Sequence, residues 1–280
     1  MPEGWQWDRT LFAGSAAHYV RGRLPYAPGF AEALAGALGA DGRGRLLDVG
    51  CGPGVVLLPM ARFFDEAVGV DPDEDMLADA ARRAARRGVG NVRLVAARAE
   101  ELPAGLGKFR AVVFAQSFHW TDRERVAALV RGMLEPGGAL VHISEAQDPP
   151  AEPAPPTPPA PPFENMAALV RRYLGPVRRA GRGTLAGGTP GGESRVFAGA
   201  GFEHAGRLVV PAGATVERTV DDLVAWTFSR SASAPHLFGD RQADFERDLR
   251  ALLSRAAPDG RFAERLPATE IVIWRKPPTP

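Results

Sequence analysis

The chain has 280 residues, which is enough for one large domain or for one domain with a cap. Its formal net charge of +1 excludes a global field that would steer the protein to nucleic acid or to an acidic membrane. Its single cysteine excludes an internal disulfide and a cysteine-based zinc site, and we expect no bound metal. The first residues lack the basic and apolar regions of a signal peptide, and no apolar run approaches the length of a membrane span, so we expect a cytoplasmic protein.

The chain opens with an aromatic segment, residues 1–28, which shows little strand patterning and is called the entry segment below. This segment is either an arm that packs its aromatic rings on the core or a cover over a ligand. Apolar residues at helical spacing predict a first helix from Phe30 to Leu38, which ends before Gly39.

A glycine-rich turn follows the first predicted strand. The run RLLDVGCGPG, residues 45–54, contains a short buried strand with Asp48 near its end, then Gly50, Cys51, Gly52 and Gly54. Glycines let a backbone approach a ligand closely, and the helix that follows presents unpaired N–H groups and a partial positive charge. The dinucleotide pattern G-x-G-x-x-G would need glycine where Val55 stands. The turn therefore indicates a ligand site, with a purely structural turn between strand and helix as the alternative.

This run resembles motif I of the class I S-adenosylmethionine-dependent methyltransferases, written hhD-h-G-x-G-x-G with h for an apolar residue. The resemblance implies an α/β protein with a Rossmann-like, doubly wound sheet of seven strands in the order 3-2-1-4-5-7-6, its last strand antiparallel, and with a helical cap. It also implies S-adenosyl-L-methionine as cofactor, with S-adenosyl-L-homocysteine as product, and cofactor contacts from Asp48, Gly50, Cys51, Gly52 and Gly54. Cys51 is interpreted as a small residue that fits the turn, because no base flanks it.

The second predicted strand, residues 67–71, ends in Asp71. An acidic residue about 20 positions after the first glycine is where nucleotide-binding α/β folds place the carboxylate that binds the ribose hydroxyls. Asp71 could instead cap the following helix, although Asp73 can fill that position. The resemblance implies that Pro72 and Met76 lie near the adenine.

The third predicted strand, residues 91–97, leads into the run RAEELP, residues 98–103. This run resembles the family's G-D-A-x-x-L-P segment, which holds the adenine through its backbone and an acidic side chain. Arg98 stands at the usual acidic position, so the expected contact is the backbone at Ala99. Glu100 either takes over the side-chain contact or caps the next turn.

The fourth predicted strand, residues 109–116, ends in the run AQSFHW. Chemistry in open α/β sheets lies beyond the carboxyl ends of the central strands, so we expect Gln116 at the cofactor, and Ser117 and Trp120 in the substrate pocket. His119 is the candidate catalytic residue, either as a base for the acceptor or as part of the pocket wall. The pattern A-x-S-x-H-W-x-D resembles the methyltransferase type 11 group, which acts on small molecules.

These motifs imply a small-molecule acceptor. The N/D-P-P-Y tetrapeptide and the Pro-Cys pair of nucleobase methyltransferases are absent from this stretch. We therefore expect methylation at oxygen or carbon rather than nitrogen, of the kind found in secondary metabolism. We expect no nucleic-acid or membrane partner, and a monomer or homodimer. The alternatives are a non-catalytic protein that binds the same cofactor and, less in keeping with the glycine spacing, an NAD(P)- or FAD-dependent oxidoreductase.

The rest of the chain agrees with the resemblance by its layout. We predict an N-terminal lid and first helix over residues 1–44, a cofactor-binding core over 45–147, a stiff linker with nine prolines over 148–162, a cap insertion over 163–200, and a final part of the sheet over 201–280 with cap helices over 220–256. Trp120, or Tyr19 within the lid, is a candidate for a cation–π contact with the sulfonium. Arg23 in the lid either pairs with the cofactor's carboxylate or is an exposed arginine.

Overall fold

The computed structural model describes Asp8 and residues 10–146, 158–176, 179–180, 183–184 and 191–277. The helices are α1 (Ala16–Gly22), α2 (Phe30–Leu38), α3 (Leu57–Ala61), α4 (Glu74–Arg87), α5 (Arg123–Met133), α6 (Phe163–Leu174), α7 (Glu193–Gly199), α8 (Val220–Phe228) and α9 (Gln242–Ala256). The strands are β1 (Arg45–Val49), β2 (Glu66–Asp71), β3 (Val92–Ala96), β4 (Phe109–Ala115), β5 (Leu134–Glu145), β6 (Arg179–Ala180), β7 (Gly183–Thr184), β8 (Glu203–Val210), β9 (Thr215–Thr219), β10 (Arg261–Arg265) and β11 (Thr269–Arg275). Short 3-10 segments lie at Ala99–Glu101, Phe118–Trp120, Ser231–Ser233 and Pro235–Arg241.

Seven strands form the central sheet, in the order β3-β2-β1-β4-β5-β11-β8. Counted among the strands of this sheet alone, the order is the predicted 3-2-1-4-5-7-6. Strands β1 to β5 run parallel, and β11 is antiparallel to both of its neighbours, β5 and β8. The predicted fold class is therefore confirmed. Two small antiparallel pairs, β9 with β10 and β6 with β7, lie outside this sheet.

The central strands are apolar because both faces of the sheet are covered. On one face Leu46 of β1 belongs to a cluster with Leu34 of α2 and Leu57 of α3. On the other face Leu47 belongs to a cluster with Val126 of α5. Successive side chains of a strand point to opposite faces, so a strand between two helical layers must be apolar on both. This arrangement leaves the carboxyl ends of β1, β2 and β4 as the place where polar residues can meet.

Two elements have irregular bounds. Strand β5 begins at Leu134, ahead of the run ALVHIS at residues 139–144, because Phe109 pairs with Leu134 while Ala111 pairs with Ala139. The intervening residues bulge out of the ladder, with Gly137 at a φ of 71°. Helix α3 covers only residues 57–61 of the apolar run at residues 55–64, and it contains Pro59, which cannot donate a helical hydrogen bond.

The later part of the chain forms a helical cap, here defined as α6, α8, α9 and the β9–β10 pair. Its core is a third apolar cluster in which the rings of Phe238 and Phe245 stack with centroids 4.0 Å apart. The predicted linker lies mostly outside the described residues, since these omit residues 147–157. The division of the chain into lid, core, linker and cap stays a prediction.

Candidate active site

A cavity opens at the carboxyl ends of β1, β2 and β4. The space between its walls, open solvent included, is about 880 Å³. The predicted site residues that line it are Tyr19, Gly50, Gly52, Asp71, Pro72, Met76, Ala99, Glu100, Gln116, Ser117 and Trp120. The lining residues that sequence reasoning missed are Leu11, Phe12, Val49, Val70, Asp73, Ala97, Arg98, Ala115 and Thr121. Residues far apart in the chain thus meet at the edge of the sheet where parallel α/β folds bind ligands.

The glycines of the turn serve different purposes. A Cβ on Gly50 would lie 2.5 Å from the Cβ of Ser117, so this glycine allows β1 and β4 to end side by side. A Cβ on Gly52 would meet no atom within 4 Å, so this glycine borders open space. A Cβ on Gly54 would lie 2.9 Å from Cγ of Leu58, so Gly54 lets α3 pack closely and does not line the cavity. All three have positive φ values, a conformation that glycine adopts at little cost.

Asp71 lies at the end of β2 and is held by two backbone donors. The amide of Gly52 donates to Oδ2 at 2.8 Å, and the amide of Asp73 donates to Oδ1 at 2.9 Å. Burial raises the pKa of Asp71 to about 6, although both hydrogen bonds act in the opposite direction. Asp73 caps α4, because its carboxylate accepts from the amides of Asp75 and Met76. The N-cap position, which was the alternative role for Asp71, is therefore occupied by Asp73.

Asp48 is a buried acid that makes no hydrogen bond within the described ranges. It is 1% exposed, and neither carboxylate oxygen makes a hydrogen bond to any part of the chain that the structure describes. Burial, and then the charge of Asp71, raise the pKa of Asp48 to about 7. The backbone amide of Leu57, which approaches the carboxyl without the geometry of a hydrogen bond, acts in the opposite direction. Buried polar groups in native proteins usually have partners, so this carboxylate requires an explanation. Asp48 does not line the cavity, and its contact with the cofactor stays a prediction.

Glu100 is already engaged by the protein. Its Oε1 accepts a hydrogen bond from the amide of Asp122 at 2.8 Å, at the N-terminus of α5. Its other carboxylate oxygen lies 3.2 Å from the guanidinium of Arg98. An ion pair between Arg98 and Glu100 therefore lines the cavity at the place where the resembled family has an acidic side chain.

The segment after β4 presents Gln116 and Trp120 to the cavity. Gln116 has a φ of 54°, which is rare for a residue other than glycine. Its backbone amide donates to the carbonyl of Ile143 at 3.1 Å. Ser117 is 7% exposed, and its hydroxyl donates to the carbonyl of Val49 at 2.5 Å. The Ser117 hydroxyl, expected in the substrate pocket, therefore joins the ends of β4 and β1. The Trp120 ring meets the Phe12 ring edge-on, with centroids 5.9 Å apart.

Comparison with known proteins identifies the family of this architecture. A family model described as a methyltransferase domain matches residues 46–138, which include the glycine turn, Asp71 and the segment after β4. Residues 46–138, about a third of the chain, match a methyltransferase domain, and the seven-stranded sheet has the order of the class I, S-adenosylmethionine-dependent type.

Two curated relatives match part of the chain. An uncharacterized methyltransferase of Mycobacterium tuberculosis is 36% identical over 142 residues, which are 50% of this chain and 55% of the relative. A ubiquinone biosynthesis O-methyltransferase of a Caulobacter species is 35% identical over 99 residues, which are 35% of this chain and 39% of the relative. The chain thus spans about half the length of the first of these relatives, and less of the second.

A solved structure extends the likeness of fold beyond this domain. The crystal structure of the cyclase SpnF aligns with a TM-score of 0.53 and 21% identity, over 96% of this chain and 93% of that chain. At this identity the likeness concerns the fold, and the same fold carries different chemistry in different proteins.

Within the methyltransferase domain, His119 lies outside the cavity lining. Its ring packs against the Trp120 ring with centroids 4.8 Å apart, in the short 3-10 turn that directs Trp120 to the cavity. Burial, and then the charges of His142 and Arg123, lower the pKa of His119 to about 4. The imidazole is therefore neutral at physiological pH. This geometry does not match the expected wall position, and the role of His119 as a base stays a prediction.

Arg23 and Cys51 also lie outside the lining. The Arg23 guanidinium lies over the Tyr19 ring, 5.4 Å from its centroid, and donates to the carbonyl of Ser229 at 3.1 Å. It thus contacts the cap, whereas we expected it at the cofactor's carboxylate. Cys51 is 4% exposed, and its sulfur would lie 2.8 Å from a Cβ on Gly69, so it fills space behind the turn as a small residue.

Neither a metal cluster nor a spanning helix occurs in the described ranges. No group of three or more His, Cys, Asp and Glu residues among the described residues is arranged to hold a metal ion. No helix among them combines the length and the apolar character needed to cross a membrane.

Proposed function

We propose that the protein transfers the methyl group of S-adenosylmethionine to a small-molecule acceptor, at oxygen or carbon rather than nitrogen. The observation that carries this proposal is the cavity wall formed by the Asp71 carboxylate and the open glycine Gly52, with the buried carboxyl of Asp48 near Asp71 but outside the lining. When bound, the cofactor supplies a methyl group on a positively charged sulfonium.

The charges of the site support this cofactor. Free S-adenosylmethionine carries a sulfonium and an ammonium, and Asp48 and Asp71 are acids whose pKa values are raised to about 7 and about 6. A nearby cation favours the ionised form of a carboxyl, so each acid would be stabilised by a cationic ligand. We assign Asp48 to the cationic end of the cofactor on this ground, as a buried charge behind the lining and not as a contact in the wall.

The hydrogen bonds of Asp71 support a ribose contact. A carboxylate offers about four acceptor positions, and backbone amides occupy two of them. The remaining two match the two hydroxyls of a ribose. Met76, Pro72 and Ala99 extend the lining away from Asp71 and supply apolar surface for an adenine ring.

The opposite side of the cavity is suited to the acceptor. Leu11, Phe12, Tyr19 and Trp120 give it an apolar and aromatic wall. Gln116 lines this cavity, and its carboxamide makes no hydrogen bond to the rest of the described chain, so it can both donate to and accept from a polar group. This lining favours a small acceptor with a largely apolar body and one or two polar groups.

The state of His119 bears on the acceptor atom. A histidine with a pKa of about 4 that lies outside the cavity is a poor proton acceptor for an alcohol. The lining therefore favours acceptors that ionise readily in water, such as phenols and enols, which react at oxygen or carbon. The Caulobacter relative is named an O-methyltransferase, which supports the oxygen option. A cytoplasmic location, the absence of a nucleic-acid partner and a monomer or homodimer remain part of the proposal.

The proposal is tested by incubating the protein with S-adenosylmethionine that carries a deuterated methyl group and with a panel of phenols, enols, amines and alcohols. We expect mass spectrometry to find the label on a phenol or enol. Labelling of amines alone would contradict the preference for oxygen or carbon. Cofactor binding without labelling of any acceptor would favour the non-catalytic alternative.

A matched pair of variants tests the cofactor contacts. Asp71→Ala should weaken cofactor binding by about 2 kcal/mol, the usual effect of losing a charged hydrogen-bonding partner. Asp75→Ala is the control, because Asp75 is an exposed acid in the first turn of the adjacent α4. Equal affinities of the two variants would contradict the ribose contact.

A further inference from the structure

The entry segment reaches the cavity but is bonded mainly to the cap. It contributes Leu11, Phe12 and Tyr19 to the cavity lining. Its helix α1 packs directly on α8 of the cap: a Cβ on Gly22 would lie 2.4 Å from the carbonyl carbon of Ala225 and 2.4 Å from the amide nitrogen of Trp226. Only glycine permits this approach of the two backbones.

Several hydrogen bonds join the same two elements. The hydroxyl of Ser15 donates to the carbonyl of Phe228 at 2.8 Å, and this bond is buried. The guanidinium of Arg21 donates to the carboxylate of Asp222 at 2.8 Å. The bond from the amide of Ala27 to the hydroxyl of Thr269, at 2.8 Å, joins the end of the entry segment to the central sheet. The part of the entry segment that carries Tyr19 is therefore positioned by the cap.

Arg218 lies at the centre of this contact. It is 4% exposed and lies on β9, directly before Thr219, the N-cap of α8. One terminal nitrogen of its guanidinium donates to Oε2 of Glu264 on β10 at 2.6 Å. The other donates to the carbonyl of Gly22 at 2.7 Å and to the carbonyl of Asp222 at 3.2 Å. Gly22 ends α1, where carbonyls lack helical partners and the helix dipole is negative.

We propose that Arg218 is a positioning residue for the active site, since it holds the end of α1 on the cap and thereby fixes Tyr19 and Phe12 in the cavity wall. The proposal rests on the proposed function, because the wall matters for catalysis only if the cavity holds cofactor and acceptor. It does not require Arg218 to touch either of them.

The burial of the ion pair supports a role in geometry. Burying two charges costs desolvation, and a buried pair is weak evidence for stability alone. The same two-stranded sheet contains a second pair, Arg261 with Glu217, whose side chains are 58% and 50% exposed. The hydrogen bonds of Arg261 go to Asp259 and Glu217, and none of them reaches the described residues of the entry segment. The buried pair of the two, Arg218 with Glu264, is thus the one that contacts α1.

Two variants separate the contact with α1 from the ion pair. Arg218→Lys keeps a positive charge beside Glu264 but lacks the fork that reaches the Glu264 carboxylate and the Gly22 carbonyl together. Gly22→Ala disturbs the same contact from the side of α1 and leaves Arg218 and Glu264 in place. Arg261→Lys, in the exposed pair, is the matched control.

The first measurement uses trypsin on the full chain without any ligand. Arg21 and Arg23 are cleavage sites at the contact between α1 and α8. We expect cleavage there to be about tenfold faster in Arg218→Lys and Gly22→Ala than in the parent and in Arg261→Lys, as the loss of a charged hydrogen bond predicts. The second measurement is steady-state kinetics, in which KM for S-adenosylmethionine should rise about tenfold in the same two variants, with a smaller change in kcat.

The outcomes are distinct. Cleavage and KM equal to those of the parent in both variants would overturn the proposal. Faster cleavage throughout the chain, with a lower thermal midpoint, would mean that Arg218 serves stability only, and this would also overturn it. If the parent binds no S-adenosylmethionine, the proposed function fails, while the cleavage pattern still decides whether Arg218 holds α1.

Discussion

Asp48 and Asp71 differ in their partners although both are buried acids at the same edge of the sheet. Two backbone amides donate to Asp71, whereas Asp48 has no hydrogen bond among the described residues. The pKa values follow this difference, at about 6 for Asp71 and about 7 for Asp48. The sequence predicts that both residues belong to the site, Asp71 from its position at a strand end and Asp48 from the resemblance to motif I. It does not predict the missing partner of Asp48, which depends on how α3 packs.

Stability of the free protein should depend on pH through Asp48. Its pKa of about 7 lies above the usual value for an unfolded chain, so the folded state binds an extra proton between about pH 4 and pH 7. The resulting contribution to the free energy of unfolding is complete below that window and is lost as the pH rises through about 7. We predict that Asp48→Asn is more stable than the parent at pH 8 by a few kcal/mol, since one pKa unit corresponds to about 1.4 kcal/mol.

Urea unfolding of the parent and of Asp48→Asn, at intervals from pH 5 to pH 8, measures this difference. Asp75→Asn is the control, because Asp75 is exposed. If the stability of the parent and of Asp48→Asn changed with pH in parallel, the raised pKa of Asp48 would be contradicted.

Gln116 also has a structural feature that suggests a function, namely its positive φ. Gln116 and Ala104 are the described non-glycine residues with positive φ, at 54° and 45°. We predict that Gln116→Gly and Ala104→Gly both stay within about 1 kcal/mol of the parent in stability, because relief of strain offsets the greater entropy of an unfolded glycine. Only Gln116→Gly should lose methyl transfer, at least tenfold in kcat/KM, because it removes the carboxamide from the cavity. Full activity of this variant would exclude Gln116 from acceptor binding.

At the scale of elements, the glycine turn was the most predictable part of the site. A strand, a glycine turn and a helix are visible in the order and spacing of residues 45–61, and the structure has all three. The separate purposes of the glycines were not predictable. The close approach of Gly50 to Ser117 and of Gly54 to Leu58 depends on elements that meet the turn only in the folded protein.

Gly52 permits a test of the open face of the turn. Gly52 and Gly88 have φ values of 51° and 66°, and a Cβ on either would meet no atom within 4 Å. Gly52→Ala and Gly88→Ala should therefore lose similar stability, about 1–2 kcal/mol each, from the left-handed conformation. Only the Gly52 variant should lose affinity for S-adenosylmethionine, because its methyl group would occupy the space above the turn. Thermal unfolding and calorimetric titration of both variants decide this, and equal cofactor affinities would place the ligand elsewhere.

The small sheet of β9 and β10 and the contact of α1 with α8 were not predicted. Arg218 on β9 pairs in register with Phe262 on β10, and Gly22 meets Ala225 across a still larger separation in sequence. Neither contact produces a periodic pattern, since each depends on a few residues from distant parts of the chain. Helix α1 is only seven residues long, which is too short for an apolar period to be visible.

At the scale of the whole molecule, the sheet order was predictable because it followed from a family resemblance, and the structure confirms it. The central strands also carried a physical signal, since strands covered on both faces form apolar runs. The orientation of individual side chains was less predictable. His119 and Trp120 are adjacent in sequence, yet the 3-10 turn directs only Trp120 to the cavity. Two residues that are adjacent in such a turn point in different directions, so only one of them faces the ligand.

The central claim is that the cavity at the carboxyl ends of β1, β2 and β4 binds S-adenosylmethionine. Calorimetric titration of S-adenosylmethionine and S-adenosylhomocysteine into the purified protein tests it directly, with the Asp71→Ala and Asp75→Ala variants measured alongside. We predict micromolar binding of at least one ligand to the parent and to Asp75→Ala, and binding about thirtyfold weaker to Asp71→Ala. A folded parent protein that binds neither ligand would contradict the claim.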